Sequence, residues 1–333
     1  MPLDPTRPDH YAAPARARAE ALAARAPRPA RIGNVRLGTC SWTDPTLIKS
    51  GLFYPPSANN AERRLRHYAE HFDVVEVDSP YYALPTVQAA SAWAARTPPG
   101  FRFHVKAFAA ITGHPVDLKT LPRDLKDALP PGLRGRRRAR PDELPPDLVG
   151  ACWRRFADAL EPLTRAQKLA AVLLQFPPWF TATRGNARRL VACRQRLPEL
   201  PLAVEFRHRS WLDPARRRRV LDLLRDQGMA FVAVDTPAHH DTALQRAVEV
   251  TSPDLAVVRF HGRNPDTWSG ATTAAERFDH LYEEDELAEW LEPLRRLAGQ
   301  AAEVHALMNN CAFDAGILGA KNLAALLAED SRG

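Results

Sequence analysis

Leu202-Ala-Val-Glu-Phe-Arg-His-Arg-Ser-Trp211 joins a short apolar run to a group of ionisable side chains. The run from Leu202 to Phe206 predicts a buried strand. Glu205, Arg207 and His208 lie at or just beyond its carboxyl end. Because ionisable side chains are rarely buried unless they are paired or functional, the stretch predicts a strand whose end forms one wall of a functional site.

The same pattern recurs along the chain, where strand-like runs alternate with helix-like runs. The eight predicted strands are Val35–Cys40, Val74–Val77, Phe101–Ala107, Ala171–Phe176, Leu202–Phe206, Ala230–Val234, Ala256–Phe260 and Val304–Met308. The predicted helices are Asn60–His71, Val87–Arg96, Cys152–Thr164, Asn186–Arg196, Pro214–Gln227, Asp285–Leu297 and Ala315–Ala328. Alternating strands and helices indicate a parallel sheet, and eight short strands favour closure. The predicted fold class is therefore α/β, a single-domain TIM-like (β/α)8 barrel over residues 33–329.

Two segments differ from the barrel pattern. Residues 1–32 are rich in Ala, Arg and Pro, which predicts a disordered tail, and they lack the features of a secretory signal. Residues 115–150 predict a Pro/Arg-rich insertion. Its clustered arginines are Arg134, Arg136, Arg137, Arg138 and Arg140, and the neighbouring acids are Asp142, Glu143 and Asp147. A solvated or disordered insertion and a contact with nucleic-acid phosphates are both compatible with this composition.

The net charge of +7 at pH 7 is spread unevenly over the 333 residues. The tail and the insertion each hold a small surplus of cations, so the barrel itself is only mildly basic and its charge does not imply nucleic acid. No run of 18 uncharged apolar residues occurs, so no membrane span or membrane partner is expected. The four cysteines lack the short paired spacing of a zinc ribbon, and we expect reduced thiols and a cytoplasmic location.

Polar side chains follow nearly all of the predicted strands, and barrel enzymes build their sites from such strand ends. Candidates for catalysis are Glu76, Glu205 and His261. Candidates for substrate binding are Trp42, Asp78, Tyr82, Lys106, Gln175, Arg207, His208, Arg259, Asn309 and Asn310. The number of such strand ends predicts one shared pocket rather than a set of separate structural ion pairs.

Several chemistries are compatible with these candidates. Arg207, Arg259 and Lys106 are suited to holding an anion, and the region after the last two strands is a frequent phosphate site in barrels. Glu76 and Glu205 are suited to general acid/base catalysis.

Other interpretations of the same residues stay open. Glu76, Glu205, Asp235 and His261 can instead hold a divalent metal, although no His-Glu-x-x-His spacing supports this and the metal ligands stay unknown. His239-His240-Asp241 is either a metal clip or a solvated loop.

The aromatic residues Trp42, Tyr81, Tyr82 and Trp211 either stack on a substrate or pack the barrel mouth. No Gly-x-Gly-x-x-Gly follows the first strand, so no nucleotide cofactor motif is present.

A series of short motifs runs in order through the chain. They are Leu37-Gly-Thr-Cys-Ser-Trp42, Phe53-Tyr-Pro55, Tyr68-Ala-Glu-His-Phe-Asp-Val-Val-Glu-Val-Asp-Ser79, Tyr82-Ala-Leu-Pro85, Thr97-Pro98 with Lys106, Gln175-Phe-Pro-Pro178, Val204-Glu-Phe-Arg-His208, Arg259-Phe-His-Gly262 and Asn309-Asn310. Together they resemble the domain-of-unknown-function 72 (DUF72) family, the YecE-like proteins, from about Gly33 to Leu327. The resemblance implies a TIM-like barrel and no particular activity. Asp78, Pro80 and Cys311 depart from the family's usual Asn, Thr and Asp.

The leading functional hypothesis is a soluble barrel enzyme of hydrolase or lyase type. It would act by acid/base chemistry on a small anionic substrate, such as a phosphorylated one. Two alternatives are a nucleic-acid-binding protein that uses the insertion and the tail, and a metal-dependent phosphodiesterase-like barrel. The sequence does not decide the oligomeric state.

Overall fold

The computed structural model describes residues 10–237, 247–266 and 274–331 and confirms the β/α alternation. The eight barrel strands are β1 (Val35–Thr39), β2 (Val74–Val77), β3 (Arg102–Lys106), β4 (Leu169–Gln175), β5 (Leu202–Glu205), β6 (Met229–Asp235), β7 (Leu255–Phe260) and β8 (Glu303–Met308). They pair in the order β1-β8-β7-β6-β5-β4-β3-β2, and β1 also pairs with β2. The sheet therefore closes into the predicted eight-stranded parallel barrel. A two-residue strand, Arg31–Ile32, adds to β1 in antiparallel orientation.

Helices connect most of these strands. They are α1 (Ala13–Ala23), α2 (Pro45–Ser50), α3 (Ala61–His71), α4 (Val87–Ala95), α5 (Ala109–Thr112), α6 (Arg123–Asp127), α7 (Pro146–Ala159), α8 (Glu161–Arg165), α9 (Arg184–Arg196), α10 (Pro214–Asp226), α11 (Ala274–Arg277), α12 (Glu284–Ala288), α13 (Leu291–Ala298) and α14 (Ala315–Asp330). Two predicted helices are each divided in two. Pro162 and Pro293 have no N–H with which to continue the preceding helical turn, so the breaks fall just before them.

Residues of the barrel fall into two compact units. The first unit comprises Met1–Glu76, Arg96–Arg102 and Ala230–Gly333, and the second comprises Val77–Ala95 and Phe103–Met229. In the first unit, β1 and β2 approach closely at Gly38. A Cβ at this position would lie 2.2 Å from the Val74 carbonyl oxygen, so only glycine fits.

The prediction of a disordered tail over residues 1–32 is wrong for the part that the structure describes, because Ala13–Ala23 is helical. Arg16 donates two hydrogen bonds of 3.0 and 2.9 Å to the Asp314 carboxylate, and Ala19 and Leu22 are buried. Proline disfavours helix interiors but is tolerated in a first turn, where Pro14 lies. The alanine-rich stretch between the prolines is therefore free to form a helix.

The insertion is ordered rather than disordered, and the five arginines of its basic cluster are exposed. Val116–Asp117 pairs with Arg138–Ala139 as a small antiparallel ladder. Its buried leucines are Leu118, Leu121, Leu125, Leu129, Leu133, Leu144 and Leu148. Three arginines of the basic cluster pair with acids, in the pairs Arg136–Glu143, Arg137–Asp117 and Arg140–Asp142. The Pro and Arg content of the insertion had obscured these buried apolar residues.

Two further predictions concern other parts of the chain. The His239-His240-Asp241 loop lies outside the described residues. No helix among the described residues has both the length and the apolar character needed to cross a bilayer.

Candidate functional site

In the first unit, Glu76 at the end of β2 and Arg259 on β7 form a buried ion pair. Arg259 donates from Nε and Nη2 to the two carboxylate oxygens of Glu76, each at 2.8 Å. Both side chains are only 1% exposed. Glu76, a candidate for catalysis, and Arg259, a candidate for substrate binding, are thus bound to each other.

Asn309 extends this pair to His261. Arg259 Nη2 donates to Asn309 Oδ1 at 3.2 Å, and Asn309 Nδ2 lies 2.9 Å from His261 Nδ1. Because a guanidinium only donates, the Asn309 oxygen must face Arg259 and its NH2 must face the imidazole. His261 Nδ1 is then an acceptor, so the neutral ring carries its proton on Nε2. The network thereby fixes the tautomer of the one histidine that was predicted to be catalytic.

A second carboxylate of the first unit is held in the same way. Arg263 donates to both oxygens of Asp235 at 2.8 and 2.7 Å, and it also contacts Glu289 at 3.1 Å. The buried Trp290 indole donates to Asp235 as well. Arginine therefore occupies the carboxylates of both Glu76 and Asp235, two of the ligands in the metal hypothesis.

Trp42 and Asn310, also in the first unit, have packing and loop-fixing contacts. Trp42 is buried, and its backbone carbonyl accepts a hydrogen bond from the Tyr54 hydroxyl. The Asn310 side chain is fully buried and donates to the His280 carbonyl at 2.9 Å. Asn309 and Asn310 therefore have different roles, since only Asn309 belongs to the network around His261.

In the second unit, Glu205 at the end of β5 pairs with Arg207. Arg207 Nε lies 2.5 Å from Glu205 Oε1, and the Glu205 side chain is fully buried while Arg207 is partly exposed. Gln175 lies opposite Glu205 in the β4–β5 register, and Lys106 lies opposite Leu173, two residues before Gln175. Since side chains two residues apart share a side, Lys106, Gln175 and Glu205 project from the same side of the sheet.

Aromatic and cationic side chains surround this strand end. Lys106 Nζ lies 4.6 Å from the centroid of the Tyr81 ring, and Tyr81 contacts His114 edge-on at 5.1 Å. Burial, together with the Lys106, Arg207 and Arg189 cations, lowers the pKa of His114 to about 3. Burial is the largest cause of this shift, and the three cations add to it.

A cleft of about 510 Å³ opens beside this cluster. Its lining includes Arg140, Asp142, Trp153, Trp179, Arg189 and Arg196. Trp179 is 61% exposed and contacts the His114 ring at 5.8 Å. The volume falls in the range typical of small-molecule pockets. Because Arg140 is paired with Asp142, Arg189 and Arg196 supply the net positive charge of the lining.

A family model described as "Protein of unknown function DUF72" matches residues 36–333. The chain belongs to the DUF72 family. UPF0759 protein YunF of Bacillus subtilis (strain 168) is 30% identical over 280 residues, covering 83% of this chain and 88% of YunF. Similar solved structures include DUF72 family proteins of Enterococcus faecalis V583 (24% identity, TM-score 0.71, 88% of this chain and 95% of that one) and Thermotoga maritima MSB8 (28%, 0.67, 90% and 99%). The fold and the family resemblance are thereby confirmed.

The remaining candidates of this DUF72 chain lie at or after strand ends of the second unit. His208 Nδ1 contacts the Ser210 hydroxyl at 2.8 Å and accepts from the Ser210 amide, which fixes the turn before the buried Trp211. Asp78 is partly buried and precedes a turn at Ser79–Tyr81. Tyr82 is exposed and contacts Tyr81 edge-on at 5.0 Å. Trp211 is thus a packing residue, whereas Tyr82 remains accessible.

Sequence reasoning missed His114, Trp179 and Arg189 of the DUF72 chain, because it considered only strand ends and the residues just beyond them. His114 follows the short helix α5, and Arg189 lies on α9. Trp179 directly follows the Gln175-Phe-Pro-Pro178 motif, so this motif was the available signal. The other two had no signal in the sequence, because only the packing of α5 and α9 brings them to the cluster.

Proposed function

We propose that this DUF72 protein is an enzyme that binds a small anionic substrate, such as a phosphorylated one, at the cleft and cation cluster of the second unit. The observation that carries the proposal is the group of Lys106, Arg207 and Arg189 around His114, beside a cleft of about 510 Å³. Burial is the main reason why a protonated imidazole is disfavoured there, and the three cations that add to this effect also attract an anion.

The cations of this cluster are already held in place. Lys106 is positioned over the Tyr81 ring, and Arg207 is held by Glu205. Cations that are fixed before the ligand arrives lose little conformational freedom on binding. Lys106 and Arg207 are the proposed anion-holding residues, with Arg189 extending the positive surface into the cleft.

The proposed chemistry is acid/base catalysis of hydrolase or lyase type, with Glu205 as the proton acceptor. Arg207 touches the Glu205 carboxylate in this structure. The negative charge of a bound anion offsets the positive charge of Arg207 beside Glu205, which favours uptake of a proton by the carboxylate. Substrate binding would thereby prepare the base.

The test compares ligand-induced thermal shifts of the full chain with inorganic phosphate, phosphorylated metabolites and nucleotides. We expect at least one compound to raise the melting temperature of the wild type, and Arg207→Ala or Arg189→Ala to remove most of that rise. Arg123→Ala is the matched control, since Arg123 lies in the second unit with a side chain that is 95% exposed. Equal shifts in all four proteins, or no shift with any compound, would sink the proposal.

A second comparison addresses the chemistry. Once a compound that binds is found to be turned over, Glu205→Gln should retain its binding and lose its turnover. A Glu205→Gln protein that turns the compound over at the wild-type rate would exclude Glu205 as the base.

A further inference from the structure

We propose that His67, Glu70 and His71 on helix α3 form a site for a divalent transition-metal ion such as Zn²⁺. The three residues stand at positions i, i+3 and i+4, which places them on one face of the helix. One ligand atom from each lies within 4.8 Å of the others, and His67 Nδ1 is 3.6 Å from Glu70 Oε2. Among the described residues, no other three His, Cys, Asp or Glu side chains come together in this way.

His67 is oriented as metal-binding histidines usually are. Its Nε2 lies 3.2 Å from the Phe53 carbonyl oxygen, to which it donates a hydrogen bond. Metal-ligating histidines commonly donate their second ring nitrogen to a carbonyl or carboxylate, which fixes both tautomer and ring direction. The contact leaves Nδ1 unprotonated, and Nδ1 is the nitrogen that faces Glu70.

His71 contributes a buried imidazole. The side chain is 8% exposed, and its Nδ1 finds no hydrogen-bond partner among the described residues. A buried polar atom without a partner costs stability, and a ligand that binds the ring would offset part of this cost. Burial favours the neutral form of an imidazole, which is the form that binds a metal.

The chemistry of the ligand set selects the ion. Two imidazoles and one carboxylate suit Zn²⁺, Ni²⁺ or Cu²⁺ better than Mg²⁺ or Ca²⁺, which prefer oxygen. Ligand atoms on a tetrahedral zinc ion lie about 3.3 Å apart, so the site must contract on binding. Glu70 can provide this movement, because its side chain is 71% exposed. Three protein ligands leave the fourth position to water.

Two nearby cations, Lys321 and Arg28, repel a metal ion at this site. Their effect on its affinity gives a way to test where the ion binds. Lys321 on α14 lies over the Phe53 ring at 5.5 Å, and both Lys321 and Arg28 act electrostatically on His71. Removing the Lys321 charge should therefore tighten metal binding, whereas removing a ligand should weaken it. Tighter metal binding on loss of the Lys321 charge, together with weaker binding on loss of a ligand, would place the ion at this cluster.

The experiment is calorimetric titration of the chelator-treated full chain with ZnCl2, supported by absorption spectra with Co²⁺. We expect one ion per chain, at least tenfold weaker binding in Glu70→Gln and in His67→Ala, and severalfold tighter binding in Lys321→Gln. Glu62→Gln is the matched control, since Glu62 is an exposed carboxylate on the same helix and lies outside the cluster. Circular dichroism checks that each variant is folded.

The Co²⁺ spectrum separates this site from binding to a cysteine. The proposed ligands give d–d bands without thiolate charge transfer, whereas binding at the partly exposed Cys311 would add it. The proposal is overturned by an absence of binding in the wild type, by unchanged affinity in both Glu70→Gln and His67→Ala, or by a thiolate band. Because Glu70 is exposed, its substitution keeps the test valid if His67→Ala does not fold.

Discussion

Arg259 and Glu76 are 183 residues apart in the chain, yet they form two hydrogen bonds of 2.8 Å with almost no exposure to solvent. Removing two charges from water is costly, and their attraction offsets that cost only when the geometry is good and the remaining polar atoms are satisfied. Asn309 takes up a further Arg259 donor. Each member of the network therefore depends on the others.

Replacing Glu76 by Gln should destabilise the protein by about 3–5 kcal/mol, because it leaves the Arg259 charge buried without a countercharge. Urea denaturation measures this loss. Glu289→Gln is the control, since Glu289 also pairs with an arginine but is half-exposed, and we expect a loss of about 1 kcal/mol or less. A double variant, Glu76→Leu with Arg259→Met, should recover most of the stability. Equal losses for Glu76→Gln and Glu289→Gln would contradict this account.

Asn309→Asp should change the tautomer of His261. In the wild type, Arg259 fixes the Asn309 amide so that its NH2 donates to His261 Nδ1. A carboxylate cannot donate, so the variant favours a proton on Nδ1. Nitrogen-15 NMR of the imidazole rings distinguishes the two forms, and His261→Gln provides the assignment. An Nδ1–H signal from His261 already present in the wild type would disprove the hydrogen-bond directions given above.

His114 should make the protein sensitive to acid. Its pKa in the folded protein, about 3, lies below the value of about 6.5 in an unfolded chain. Between these values the unfolded state binds more protons, so stability falls as the pH decreases from 6.5 to 3. We expect His114→Gln to reduce this slope by up to about 1.4 kcal/mol per pH unit, as measured by urea denaturation across the window. Parallel pH profiles of the two proteins would rule this out.

Helix α1 should be held to the protein by Arg16 and Leu22. Leu22→Ala removes buried apolar surface worth about 2 kcal/mol or more, which corresponds to a roughly thirtyfold increase in amide exchange over Ala13–Ala23. Arg16→Ala should act in the same direction. Hydrogen–deuterium exchange measures both, and the exposed Arg18 supplies the control variant Arg18→Ala. Rapid exchange of this segment in the wild type would instead favour a disordered tail.

The order of strands and helices follows directly from local patterns. The predicted strand Val74–Val77 has the observed bounds, and Leu202–Phe206 is longer than the observed strand by one residue. Such runs can be recognised because a barrel strand buries apolar side chains over a short length that turns then interrupt. The same reasoning placed Glu205 and Arg207 at one strand end, where the structure pairs them.

Composition was a poorer guide than pattern. Prolines in residues 1–32 predicted disorder, but Pro14 lies in the first turn of α1, where proline is tolerated. In the insertion, leucines spaced three to four residues apart were masked by the arginines around them. Position within an element, and not abundance, decided what these residues do.

The sequence by itself determined the barrel, its family and the polar character of its strand ends, because all three depend on residues close together in the chain. Only the tertiary structure decided which ionisable side chains are paired. Arg259 binds Glu76, and Lys106, Arg207 and Arg189 surround His114, because closure of the sheet and the packing of α5 and α9 bring distant positions together. The Coulomb energy and the hydrogen bonds of such groups depend on distances of a few ångströms, which no local pattern contains.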